Sequence, residues 1–404
     1  MLGHLLLLCS IIGLLSCTVF LILLAAAFVG FKRGAIPRLV EGRWPFVSLL
    51  KPLHGLEPQL ECNLESFFEQ DYPAYEIIFG CRQESDPALD VVNAVRRRHP
   101  HIPVRIVVAG EPQQPNAKVC SLQRMAAAAG AEYLVVSDSD VKVAPQYVRE
   151  VIRPLLQPEI GMVTCLYRGV PSGGLWSRLE ALGMSVEMTA GVVVADMLEG
   201  LRFALGPTMA IRRDVLEQVG GFQVLADFCA DDFVLGQRVF ELGKQVVLSR
   251  YVVDHVALHQ RCLASLQHQV RWMKSTRFSR PKGHIGTGLT FAMPFGLLGL
   301  IAGAAMHDPL LGLALFLYAG LNRMAEALLA GWGVVRDPLA LRYFWLYPAR
   351  DLMGFFLWCA SFFNTSIVWR GELYQLQMGG KMVRQGAPEE LAGASETITV
   401  DELA

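Results

Sequence analysis

Residues 5–29 form an almost unbroken apolar run, and no other stretch restricts the possible folds so strongly. A chain crossing hydrocarbon must satisfy every peptide group internally, so a run of this length reads as a membrane-spanning helix. A secretory signal is the rival reading, but the run is long and no small-residue cleavage site stands out. Lys32, Arg33, Arg38 and Arg43 follow the run, whereas only His4 precedes it. By the positive-inside rule, the domain that follows is expected in the cytosol. Composition points the same way: 53% of the 404 residues are apolar and 18% are charged, against roughly 25% charged in soluble domains. The net charge of −1 gives no bulk attraction for nucleic acid. Nine scattered cysteines with no C-x-x-C spacing read as reduced, mostly packed thiols, consistent with a cytosolic face.

Behind this helix (residues 1–30), residues 31–280 alternate between short β-rich runs and amphipathic segments. Strands are expected at 46–50, 75–81, 104–109 and in the run that reaches Asp138, with helices at 57–70, 87–98 and 118–129 between them. That alternation predicts an α/β domain with a mainly parallel sheet and helices on both faces, its strand order left open. Residues 281–384 change character, with apolar segments at 289–305, 310–330 and 344–363 that are expected in the membrane. The middle one carries Asn322, Arg323 and Glu326, spaced to pair on one inward helix face or to mark an interfacial or re-entrant segment. Residues 385–404 are polar and acidic and are expected to be a disordered tail.

The chemistry concentrates where a strand ends. Tyr133-Leu134-Val135-Val136 runs into Ser137-Asp138-Ser139-Asp140, placing two carboxylates at the carboxyl end of a buried strand. Ligands bind outside the carboxyl ends of strands in open α/β sheets, and paired aspartates there suit a hard divalent cation shared with phosphates. A plain turn also fits, since Asp and Ser are ordinary turn residues. Asp86 follows the second strand; with Pro87 behind it, it reads as a helix cap that could also meet a ligand. Lys118 opens a helix after a Pro-rich loop, where it is either solvated or facing an anion. Gly206, Gly220 and Gly221 mark either close backbone approach or helix ends. Asp231 and Asp232 open another helix, one as its cap and the other as a possible general base. His268, Arg271 and Trp272 share a helix face, where an Arg could grip a diphosphate and an indole could stack on a sugar or pack the core. Asp254, His255 and His259 have no third ligand near in sequence, so a zinc site is discarded.

Together these residues resemble the inverting, nucleotide-sugar-dependent glycosyltransferases with a GT-A domain, and most of all the membrane-bound ceramide glucosyltransferases and bacterial relatives that glycosylate hopanoid lipids. The resemblance runs from about residue 46 to 380. Its carriers are Leu49 to Gly55, Asn63 to Phe68, Asp71-Tyr72-Pro73, Asp86-Pro87-Ala88, Asn116-Ala117-Lys118, Asp138-Ser139-Asp140, Ala230-Asp231-Asp232, Arg271-Trp272 and Val368-Trp369-Arg370, in the family's order. It implies that Asp86 contacts the nucleotide and that Asp138 with Asp140 holds Mg2+ or Mn2+. It makes Asp232 the base, leaving the cap to Asp231, and has Arg271 and Trp272 close on the leaving diphosphate and acceptor. Lys118 joins the nucleotide-sugar site. His268 stands where the family has glutamine or arginine, and the segment at Met188-Thr189-Ala190 lacks a histidine of the animal ceramide enzymes. The expectation is a multi-pass membrane protein (of a bacterial inner membrane, or of the Golgi or ER) with its catalytic domain in the cytosol. It would transfer a hexose from a UDP-sugar to a lipid hydroxyl with inversion, ceramide first and a hopanoid lipid second. A processive polysaccharide synthase fits less well, because the C-terminal membrane region is short for a polymer channel. A non-catalytic binding protein is opposed by the complete set of carboxylates, and a transporter by the size of the α/β block.

Overall fold

The first apolar run forms one helix, Leu2–Arg33, in a computed structural model that describes residues 1–33, 44–369 and 371–386. Arg38, Arg43, Arg370 and the acidic tail beyond residue 386 lie outside the described residues. Gln385 and Gly386, expected in that tail, belong instead to a strand.

The α/β block holds a twisted sheet built from β1 (Val47–Pro52), β2 (Tyr75–Cys81), β3 (Val104–Val108), β4 (Tyr133–Val136), β5 (Val141–Lys142), β6 (Ile160–Pro171), β7 (Met209–Arg212) and β8 (Gln245–Ala257). Their order is β3-β2-β1-β4-β7-β6-β8-β5. The pairs β1/β2, β2/β3, β1/β4 and β6/β8 are parallel, whereas β7 runs antiparallel to both neighbours and β5 antiparallel to β8. β1 and β2 are almost wholly buried, as their apolar runs require of strands covered on both faces. Because Leu50 pairs with Val136, β4 stops two residues short of the end of β1, and Asp138 leaves the sheet beside the last residues of β1, Lys51 among them.

The membrane-compatible helices depart in part from expectation. Leu2–Arg33, Gly174–Glu199 and Pro309–Val334 are long and apolar enough to cross a bilayer, and Pro281–Thr287 with Ala292–Ala305, bent by 44°, would add a fourth if the pair is one span. Segment 344–363 yields a helix of only 14 residues, Tyr347–Ala360, about 21 Å long against a core of about 30 Å. Gly174–Glu199 was not anticipated: it sits inside the expected cytosolic block, and 61% of its apolar window is buried in the protein. Arg323 resolves the question posed by the middle segment. It pairs with Glu326 on its own helix and with Asp351 at 3.4 Å, and it donates to the Thr290 carbonyl at 2.7 Å, so these charges face inward.

After Ala360 the chain returns as strands β9 (Ser366–Trp369), β10 (Glu372–Leu376) and β11 (Met382–Gly386), an antiparallel sheet in a stretch expected to be membrane-embedded. This sheet docks on the loop before Asp231: Cys229 N–H donates to the Gly380 carbonyl at 3.0 Å, and Met382 N–H to that of Asp227 at 2.6 Å.

Candidate active site

The D-x-D segment is shaped by the helix Leu60–Phe68 and the strand pair β5/β8. Ser139, between the two aspartates, donates its hydroxyl to Glu57 at 2.7 Å, and its carbonyl accepts from Asn63 Nδ2 at 3.3 Å. Val256 N–H closes on the Asp140 carbonyl at 2.9 Å, and Val141 pairs with His255. That register brings His255 Nε2 to 3.1 Å from Asp140 Oδ2. Burial alone would raise the Asp140 pKa, but the histidine and the nearby lysines outweigh it and hold the pKa below the ordinary carboxylate range. The Asp138 pKa moves the other way, raised by burial and by the Asp140 charge against the pull of Lys118. His255 was set aside when zinc was discarded; it is a partner of a D-x-D carboxylate, delivered from 115 residues away.

Lys118 lies between two carboxylates, 2.7 Å from Asp138 Oδ1 and 3.7 Å from Asp231 Oδ2, so it is paired rather than solvated. Its loop is fixed by Asn116, which caps the helix Ala117–Ala128 through Val119 N–H and donates to the Phe228 carbonyl at 2.9 Å. Lys51 is a second cation that the sequence reading did not single out. Fully buried at the end of β1, it donates to the Asp138 carbonyl and stands 3.7 Å from the Phe67 ring centroid. Burial lowers its pKa to about 7 against the opposing pull of Asp138 and Asp140.

Asp231 and Asp232 are arranged differently from the expected cap and base. Ala230 occupies the cap position of the helix Asp231–Glu241 and makes no side-chain cap bond, so Asp231 is not the cap. Asp231 faces Lys118 instead. Asp232 Oδ2 accepts from Gly206 N–H at 2.7 Å and its Oδ1 from Phe233 N–H at 2.8 Å. Burial and the Asp231 charge push the Asp232 pKa up to about 6. Gly206 separates two carboxylates: a Cβ there would stand 3.2 Å from Asp232 Oδ2 and 3.5 Å from Asp138 Oδ2. Close backbone approach is therefore its reason, whereas Gly220 and Gly221, with φ of 94° and 73°, end a helix.

His268, Arg271 and Trp272 lie on the helix Cys262–Ser279. The His268 ring packs on Trp272 at 4.5 Å between centroids, and Trp272 reaches His255 at 6.3 Å. His268 Nδ1 donates to Glu180 Oε1 at 2.8 Å; burial lowers the His268 pKa. Arg271 stands over Trp369 of β9 at 5.6 Å. Asp86 lies apart from this cluster. It accepts from Gly55 N–H at 3.0 Å and from Ala88 N–H at 2.9 Å, so it ties the loop after β1 to the first residue of the helix Ala88–Arg98, whose cap position is Pro87 and not Asp86. The crevice beside it is lined by Leu53, Arg82, Gly110 and Pro115 from the sheet end, with Trp369 and Tyr374 from the small sheet closing it.

Asp140 Oδ1 is buried without a hydrogen-bond partner, and so is Asp231 Oδ2, which has only the longer ion pair with Lys118. With Asp138 and Asp232 beside them, these two open oxygens give an all-carboxylate donor set, without sulfur, suited to Mg2+ or Mn2+.

A sequence model of glycosyl transferase family 21 matches residues 7–382. Ceramide glucosyltransferase 1 of Caenorhabditis elegans is 23% identical over 344 residues, which span 84% of this chain and 73% of that protein. The ceramide glucosyltransferase of Komagataella phaffii is 33% identical over 138 residues, 31% of this chain and 26% of that one. Among solved structures, the mannosyltransferase PcManGT from Pyrobaculum calidifontis, in complex with GDP-Man and Mn2+, superposes with a TM-score of 0.50 at 19% identity, covering 86% of this chain and 99% of its own. That likeness concerns the fold, which is that of the GT-A glycosyltransferases.

Proposed function

Because the chain belongs to glycosyl transferase family 21, and is thus a glycosyltransferase, we propose that it moves a hexose from a UDP-sugar to a lipid hydroxyl at the cytosolic membrane surface, with ceramide as the acceptor. The observation that carries this reading is the approach of Asp138 and Asp232 to either side of Gly206, with Asp140, held by His255, two residues on from Asp138. Asp138 and Asp140 would hold the divalent cation, which supplies countercharge to a departing diphosphate. Asp232 takes the acceptor's hydroxyl proton; two backbone N–H groups fix its orientation, and its raised pKa brings it closer to neutrality as a base. Attack from the Asp232 side, opposite the diphosphate, inverts the anomeric carbon. Arg271 approaches the diphosphate, and Trp272 orders the acceptor side of the crevice. Asp86 and the crevice beneath Trp369 and Tyr374 receive the nucleoside. A hopanoid acceptor is the second reading, favoured by His268 and the full D-x-D, which suit the bacterial branch of the resemblance. Mass spectrometry of lipids from a host expressing the chain tests both. A new hexosylceramide supports the first and a glycosylated hopanoid the second; no new glycolipid in a host holding both acceptors refutes the lipid reading.

A further inference from the structure

Against the helix Cys262–Ser279 lies a charged pair whose geometry is half closed. Arg350, on the helix Tyr347–Ala360, donates through Nη2 to Glu187 Oε2 at 3.1 Å. Guanidinium and carboxylate normally close as a two-armed fork. Here the second arm is open: Arg350 Nη1 and Glu187 Oε1 are both buried and both without a hydrogen-bond partner. The Arg350 side chain is 4% exposed, so solvent does not complete it cheaply, and an unpaired buried donor or acceptor costs about 1–3 kcal/mol. The two open atoms meet over Gly354, in a notch with no room for a side chain. A Cβ placed there would lie 3.0 Å from Arg350 Nη1, 3.2 Å from Glu187 Oε1 and 3.0 Å from the Phe291 ring. Glycine at this position keeps the notch open. Glu187 itself sits in a π-helical turn, Met184–Met188, a distortion frequent at functional sites.

The notch is also wired to the reaction centre. Arg350 Nη2 donates to Gln269 Oε1 at 2.9 Å, and Gln269 Nε2 to Ser265 Oγ at 3.0 Å. Ser265 donates to Glu180 Oε2, whose other oxygen accepts from His268. Ser265, His268, Gln269 and Trp272 share one face of their helix, and Trp272 reaches His255 beside Asp140.

Resting on the reading that the acceptor is a lipid, we infer that the open arm of the Glu187–Arg350 pair receives the polar head of that lipid, at a group that accepts from Arg350 Nη1 and donates to Glu187 Oε1. A secondary amide does both, and so does a hydroxyl. The apolar helices around the notch take the chains, and the Gln269 relay links occupancy to the helix that carries Arg271 and Trp272. Neither Glu187, Arg350 nor Gly354 has a part in the donor chemistry above.

The test uses the full chain in lipid nanodiscs, with Gly354→Ala, which fills the notch, and Glu187→Gln, which keeps its size but removes its charge. Binding of a short-chain ceramide and of a hydroxyl-only sphingoid analogue is measured without donor, alongside UDP affinity and lipid transfer. Wild type is expected to bind at least one lipid, with both variants at least tenfold weaker in lipid affinity and unchanged in UDP affinity. Preference for ceramide identifies the amide as the ligand group, and equal binding identifies the hydroxyl. Variants that keep wild-type lipid affinity overturn the inference and leave the notch to a structural water. Wild type binding neither lipid also overturns it. Loss of lipid binding in the variants, together with wild type that transfers sugar to no lipid, refutes the proposed function alone.

Discussion

Asp232 offers the sharpest test, because its surroundings set both its acidity and the effect of replacing it. With a pKa of about 6, roughly 90% of the groups are ionised at pH 7 and roughly 10% at pH 5. If Asp232 is the base, kcat/KM should fall about tenfold between those values, since its pH profile reports the free enzyme's essential groups. The sign follows from the base needing its negative charge, so activity is lost as pH falls. Asp231 helps to raise that pKa, so Asp231→Asn should move the acidic limb to lower pH and leave the enzyme relatively more active at pH 5. Asp232→Asn acts differently. Both carboxylate oxygens accept backbone N–H groups, whereas an amide offers one oxygen, so one N–H loses its acceptor at a cost of about 1–3 kcal/mol. Turnover should drop by roughly 10²–10⁴-fold with UDP-sugar affinity nearly intact. Stability carries its own signature. The folded carboxyl keeps its proton up to about pH 6 and the unfolded one only to about 3.8, so Asp232 favours the folded state at low pH and loses that advantage as pH rises through this window. Initial rates with radiolabelled donor across pH 5–8, plus thermal melts, measure all of this. A folded Asp231→Asn that is inactive while Asp232→Asn turns over normally would refute the assignment.

Asp138→Asn and Asp140→Asn should each weaken Mn2+-dependent UDP binding in calorimetry, and His255→Gln should do so by a smaller factor, about 10–100-fold, as expected of a residue that orients a ligand carboxylate. Arg323→Met leaves Glu326 and Asp351 buried without their cation, so the loss should be about 3–5 kcal/mol, read as a fall in melting temperature and in folded yield after detergent extraction. Cys62 is exposed on the catalytic block and Cys81 is buried, so Cys62 is the thiol to probe for orientation. It should react with an impermeant maleimide only after cells are opened, and labelling of Cys62 in intact cells would place the block on the outer side.

The sequence displayed features whose cause is local and hid those set by distant pairing. β1, β2 and β4 were readable because strands covered on both faces must be continuously apolar, and the aspartates mark where that cover stops. Helical spacing alone put Asn322, Arg323 and Glu326 on one face, open to an inward pairing or to an interfacial or re-entrant segment. Asp351 was not, because it meets Arg323 only through helix packing, 28 residues away in sequence. His255 is a sharper case. Nothing in Asp254-His255 distinguishes a metal-ligand pair from a histidine serving a carboxylate; the β5/β8 register makes that choice by setting His255 opposite Val141. The same limit explains Asp231 and Asp232. Adjacent residues at a helix start cannot share a direction, so sequence predicts divergence but not which side chain turns to the cap. The cap fell to neither, because Lys118 draws Asp231 and the Gly206 N–H draws Asp232. Helix Gly174–Glu199 shows that apolar length alone does not assign a membrane span, since most of its apolar window is buried against protein. Its Glu187 and Glu180 face arginine and histidine from two other helices, so what an apolar segment packs against decides the role of the few charges it carries.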